Sequence, residues 1–160
     1  MARPAVPTPP VPALQHLARF DVAIGDPLDL GEVGTGRRRV IPILGGHFHG
    51  PAFQGTILPG GADWQLVLPD GTALIDTRYT LRTHDDAVVY IATRGVRSGP
   101  PAVLERIAAG EVVDPSAYYF RVGVTFETGH PAYRWLTTRL FVAAAVRLAN
   151  RVLYDAYQLT

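Results

Sequence analysis

Turn signals cut this chain into pieces that suit strands better than long helices. "GDP" (25–27), "PGGA" (59–62), "PDG" (69–71), "HDD" (84–86) and "DPSA" (114–117) punctuate it. Each joins residues that preset a turn dihedral, accept positive φ or hydrogen-bond their own backbone. The pieces between them are β-branched, aromatic or alternating: "LARFDVAI" (17–24), "RRVIPIL" (38–44), "AFQGTIL" (52–58), "DWQLVL" (63–68), "TALIDTRYTLRT" (72–83), "AVVYIATRGV" (87–96) and "YYFRVGVTFET" (118–128). Such runs read as strands. Pro42 marks an edge or a bulge in the second of them, because proline cannot donate to a ladder.

One helix is expected, over "PPAVLERIAAG" (100–110). Proline stands at its start, Val103, Leu104 and Ile107 share a face, and Gly110 stops it. The last third has two readings. "YRWLTTRLFVAAAVRLANRV" (133–152) is alanine-rich enough for a helix, yet 134–142 also reads as a strand, with "VLYDAYQL" (152–159) as a final strand. Residues 1–12 hold five prolines and cannot join a sheet interior. The expected organisation is a flexible proline-rich arm over 1–14 and one β-barrel domain over 15–160. Eight or nine short strands with closely spaced turns point to a closed antiparallel barrel or a sandwich. A barrel of about eight strands is just wide enough for one small ligand.

Composition narrows the chemistry. There is no cysteine, every basic residue is arginine, and the serines are Ser98 and Ser116 alone. Thiolate nucleophiles, thiolate metal sites and Schiff-base lysines are therefore excluded, and neither serine lies in a nucleophile elbow. A net charge of +1 gives no polyelectrolyte attraction to nucleic acid. Arg37, Arg38 and Arg39 lack the aromatic interleaving of a nucleic-acid patch and read as a solvated strand entry. "LFVAAAV" (140–146) is too short to span a membrane, and the amino terminus is no signal peptide. A cytoplasmic protein is expected, with no nucleic-acid or membrane partner. Its tools are Asp, Glu, His, Tyr and Arg.

"GRRRVIPILGG", "GTILPGGADWQLVLPDG", "DTRYTLRT", "PSAYYFRVGVTFETG" and "YRWL" together resemble the bacterial domain of unknown function 3237 family, in order and spacing, across roughly residues 17–142. The resemblance implies a single antiparallel eight-stranded β-barrel of the allene oxide cyclase-like or lipocalin-like kind. It favours the strand reading of 134–142. The chain departs from the family pattern at Asp85-Asp86, where Asp-Gly is usual, at His130, where an acid is usual, and in "AAAVRLAN" (143–150). Barrels of this wider class include cyclases and pericyclic catalysts of natural-product pathways, an analogy of fold alone.

Candidate site residues follow from strand alternation. Asp63 opens a strand after two glycines and is either an acid/base at the barrel mouth or a cap of its own turn. Trp64 beside it packs or touches ligand. Tyr119 and Arg121 share one face and Tyr118 and Phe120 the other; Glu127 joins the Tyr119/Arg121 face unless Gly123 bulges. That set either polarises a carbonyl and moves a proton or forms a structural ion pair. Arg78 and Tyr79 lie on opposite faces, so only one lines the cavity. Trp135 packs a barrel end or contacts substrate. His47 and His49, in "GGHFHG" (45–50), point the same way: outward if Phe48 is in the core, inward if they hold a metal.

The expected function is a cofactor-independent isomerase, cyclase or lyase acting on an apolar carbonyl compound inside the barrel. Asp63 or Glu127 would move protons, and Tyr119 and Arg121 would stabilise an oxyanion. A non-catalytic carrier of a hydrophobic small molecule is the alternative, and a metalloenzyme built on His47 and His49 the second alternative. The proline arm could reach a neighbouring copy in a homo-oligomer.

Overall fold

The computed structural model describes residues 5–160; the first four residues of the expected arm lie outside the described residues. Ten strands follow in order: β1 (Leu14–Ile24), β2 (Leu28–Glu32), β3 (Arg37–His49), β4 (Gly55–Ile57), β5 (Ala62–Val67), β6 (Ala73–Thr83), β7 (Val88–Ser98), β8 (Tyr119–Glu127), β9 (Phe141–Arg147) and β10 (Arg151–Leu159). One α-helix, α1 (Pro101–Ala108), follows β7. Every pairing is antiparallel. The sheet runs β1-β10-β9-β8-β7-β6, then through β4 and β5 side by side along β6 to β3, which pairs back to β1. Because β4 and β5 share one position, this is a closed eight-strand barrel. β2 lies outside the circuit as a hairpin arm on β3.

Alternation decides which side chains are inside. Along β6, Ala73, Ile75, Thr77, Tyr79, Leu81 and Thr83 are buried while the residues between them are not. β8 alternates without a break, and Gly123 sits in a regular ladder with no bulge. Pro42 falls where the neighbour of β3 changes from β1 to β2, a place where a missing N–H removes no ladder bond.

The barrel has two unlike ends. Phe20, Phe48, Phe53, Phe126 and Phe141 fill one of them with edge-on, stacked and tilted ring contacts. A 3-10 segment, Pro131–Thr138, closes it with Tyr133 and Leu136 buried. The strand expected at 134–142 therefore begins only at Phe141. Pro131 starts the helical turn, and the His130 ring accepts from the Ala132 N–H at 3.3 Å, a capping task that an acid also performs. At the other end, α1 leans on the core through Ile107.

β2 was not among the strands expected. Its leucines, Leu28 and Leu30, are exposed, so no buried period-two pattern announced it. Asp86 is the one non-glycine residue at positive φ (66°) among those described, which gives a physical reason for the glycine that the family resemblance implies at this turn. Asp86→Gly is expected to stabilise the fold by about 0.5–1 kcal/mol by removing the Cβ from a left-handed turn. Urea unfolding measures this, and a destabilised variant would refute it.

Candidate functional site

Between the aromatic plug and α1 the barrel is hollow. The space is about 50 Å³, several times what one water needs and below the volume of a drug-sized site. Ile24, Ile41, Ile43, Ile75, Val22 and Phe120 make its walls mainly apolar. Polar groups enter it in three layers.

The deepest layer is a pair of phenols. Tyr79 on β6 and Tyr154 on β10 are buried and hydrogen-bonded to each other through their hydroxyls. Burial pushes both well above the usual tyrosine range, so both keep their protons. Two O–H groups sharing one mutual bond leave one O–H free to donate into the cavity.

The middle layer centres on Asp63, 8% exposed. β5 pairs Asp63 with Thr77, which puts the carboxylate about 7 Å along the barrel from the Tyr79 position. Its Oδ1 accepts the Asp76 backbone N–H at 3.0 Å, and its Oδ2 accepts from Gln65 Nε2 at 3.0 Å. Burial nevertheless raises its proton affinity above the ordinary 3.8, against the pull of those bonds and of Arg97.

The third layer, at the open end, is basic. Arg97 on β7 is 8% exposed and its guanidinium lies 5.6 Å from the centre of the Phe120 ring. Burial depresses its pKa to about 10, helped by Arg147 and Arg39 and opposed by Asp63. Arg39 Nη2 donates to Gln65 Oε1, while Arg39 Nε is buried without a partner. Arg147 donates to the carbonyls of Leu148 and Ala149, and its N–H donates to the Tyr118 hydroxyl at 3.0 Å. Arg97 also lines a groove between α1 and the β5–β6 turn, so it stands between the cavity and solvent.

Of the residues singled out in the sequence, Asp63, Tyr79 and Phe120 share this cavity. Tyr119, Arg121 and Glu127 do not: all three are exposed on the outer face of β8, and Arg121 stacks on Tyr119 at 5.3 Å. Tyr118, Phe120, Val122, Val124 and Phe126 bury the opposite face, so apolar burial overrules the inward placement of the polar set. Arg78 and Trp64 are also outside, with the guanidinium 5.7 Å from the indole centre and Arg78 bonded to Asp76. Trp135 packs beside Phe141 at the plugged end, 6.3 Å between ring centres, far from the cavity. His47 and His49 are exposed and Phe48 is buried. Among the described residues no group of three or more His, Cys, Asp or Glu comes together as metal ligands would. No helix among them is long and apolar enough to cross a membrane.

Arg97, Arg147 and Tyr154 were not singled out from sequence, and Arg39, read there as part of a solvated strand entry, is instead half-buried and bonded to Gln65. Period two could have found Arg97 and Arg39: Ile91, Thr93 and Arg97 lie an even count apart on β7, and Arg39 is in phase with Ile41 and Ile43 on β3.

The pKa of Asp63 carries a signed expectation. Its folded value lies above its unfolded value, so the folded state holds the proton more tightly. This group's contribution to stability therefore falls as pH rises from about 3.8 through the folded value. Asp155 behaves oppositely. Hydrogen bonding from Arg19, then from His16, outweighs burial and holds it below 3.8. Its contribution is present above 3.8 and lost as pH falls through the folded value. A carbon-13 NMR titration of the carboxyl groups should find Asp63 above Asp155, and the reverse order would refute the burial of Asp63.

Comparison with known proteins agrees with this architecture. A UPF0311 protein of Rhodopseudomonas palustris (strain TIE-1) is 44% identical over 144 residues, covering 90% of this chain and 94% of that protein. The crystal structure of a beta-barrel like protein from Acinetobacter baumannii AYE superposes with a TM-score of 0.85 at 45% identity, covering 96% of this chain and 99% of that one. An enzyme from Penicillium herquei shares the fold alone, with a TM-score of 0.72 at 19% identity over 98% and 100% of the two chains. The family described as "Protein of unknown function (DUF3237)" matches residues 12–159, and this chain belongs to it.

Proposed function

We propose that the protein is a cofactor-independent isomerase, cyclase or lyase acting on a compact carbonyl compound inside the barrel. The observation that carries this reading is Asp63: a buried carboxylate with raised proton affinity, beside an apolar cavity. Such a group is suited to general acid/base work. Asp63 would take a proton from the carbon next to the carbonyl. The electron pair would move into an enolate, whose oxygen the Arg97 guanidinium or the free tyrosine O–H would stabilise. Returning the proton at a different carbon completes an isomerisation, while internal attack on the polarised system closes a ring. The Penicillium herquei neighbour adds only that a barrel of this shape can host an enzyme.

The competing reading is a carrier. The two hydrogen bonds that Asp63 already accepts favour it, because they give the carboxylate a structural task. Native mass spectrometry of freshly purified protein, followed by a screen of small carbonyl compounds, supplies the ligand. Asp63→Asn then separates the readings. An enzyme loses about 10²- to 10⁴-fold in kcat with binding largely kept, whereas a carrier shows no turnover to lose and only altered binding. Tyr119→Phe, Arg121→Gln and Glu127→Gln on the outer face should leave both unchanged.

A further inference from the structure

We infer that the ligand carries a carboxylate, held at the open end of the barrel by Arg97 between Arg39 and Arg147. This rests on the cavity reading above and adds the ligand's charge and its orientation.

The argument is an inventory of partners. Three guanidiniums meet at this end: Arg97 lines the cavity with Arg147 and the outer groove with Arg39, and Asp63 is the acid that lines the same cavity. Asp63 accepts the Asp76 N–H on one oxygen and Gln65 on the other, and neither oxygen is bonded to Arg97. Gln65 Oε1 is taken by Arg39. Arg97 forms no hydrogen bond or ion pair among the described residues, although it is 8% exposed and lines the cavity. Arg39 Nε is buried and equally without a partner. Charged donors left this way are costly, and native structures satisfy nearly all buried polar groups. An anion at the mouth, where Arg97 lines both the cavity and the outer groove that Arg39 lines, would give Arg97 a partner within reach of the other two guanidiniums.

The anion's chemistry follows from the space. About 50 Å³ between isoleucine and valine walls suits a small planar group on an apolar body better than a bulky, doubly charged phosphate beside Asp63. A carboxylate also matches the guanidinium fork in a bidentate way. Because Arg97 lines the outer groove beside α1 as well, the ligand would enter apolar end first, with its carboxylate remaining at the mouth.

The test uses isoleucine methyl NMR on the full chain. Ile24, Ile41, Ile43 and Ile75 line the cavity, and Ile57, Ile91 and Ile107 do not. The probes are benzoate with benzamide, isobutyrate with isobutyramide, cyclohexanone as a neutral ketone, and inorganic phosphate. Each acid should shift the cavity methyls and bind about 10- to 100-fold more tightly than its amide, the ratio that a charge-assisted hydrogen bond gives. Phosphate should not compete with either acid.

Arg97→Met should abolish the preference for the acids. Without ligand it should melt at a higher temperature than the parent, because it removes an unpaired buried charge. Arg97→Gln serves if the methionine variant does not fold, and should also erase the preference. Amides that bind as tightly as acids overturn the carboxylate site and leave the cavity reading standing. So do phosphate competition and a preference that survives in the Arg97 variants. An Arg97→Met variant that folds but melts lower overturns the unpaired charge. Cavity methyls unmoved by every acid, amide and neutral ketone overturn both.

Discussion

Phe53→Ala is expected to lower the unfolding free energy by about 3–5 kcal/mol, the range for removing a fully buried phenyl ring. Phe53 is 0% exposed. Its ring centre lies 4.6 Å from that of Phe48, 5.5 Å from Phe126, 5.8 Å from Tyr133 and 6.4 Å from Phe20. It therefore joins β1, β3 and β8 to the segment that closes the plugged end. Rings of this size cannot collapse into the gap without leaving rotamer minima, so the cavity term adds to the transfer term. Guanidinium unfolding measures the loss, and a change below about 1 kcal/mol would mean that the plug is not packed as described. The Asp63 titration in the folded variant should be unchanged, because the hydrogen bonds to Asp63 come from Asp76 and Gln65 and none from the plug.

Gly46→Ala is expected to cost at least about 3 kcal/mol and to give a folded but much weakened variant. Gly46 has φ of +135°, outside the range that side chains adopt readily. A Cβ there would stand 2.0 Å from the Asp21 carbonyl oxygen, and backbone cannot move aside as a flexible side chain can. Gly46 also pairs with Val22 of β1 on one side and Ile57 of β4 on the other. The contact therefore lies on the β1–β3 seam that closes the barrel. Thermal and denaturant unfolding read the loss, and near-parental stability would refute the close approach of the two strands.

These two positions also show what sequence makes legible. "GGHFHG" carries both signals: Phe48 in the plug and glycines where the backbones crowd. The histidines then fall outside by alternation. β6 and β8 are readable for the same reason, since each has one apolar face. On β8, however, the polar face gathers Tyr, Arg and Glu in a pattern that resembles an active site. Only the packing of Phe120, Val122, Val124 and Phe126 across the barrel settles that this face is outside. The actual polar cavity is assembled from β3, β5, β6, β7, β9 and β10. Each strand contributes one or two residues, and their meeting depends on strand order and register, which no local pattern encodes. Arg147, near the end of β9, looks like an ordinary solvated arginine until the barrel closes around it, and the phase of Arg97 on β7 shows only that it points inward, not what it meets.

The central claim is that the hollow beside Asp63 is the ligand site. The most direct measurement is the isoleucine methyl spectrum of the full chain during titration with small neutral ketones, cyclohexanone first. The account predicts saturable shifts at Ile24, Ile41, Ile43 and Ile75, with Ile57, Ile91 and Ile107 unmoved, and weaker binding in an Asp63→Leu variant that narrows the space. Shifts confined to the methyls away from the cavity, or equal binding by Asp63→Leu, would contradict it.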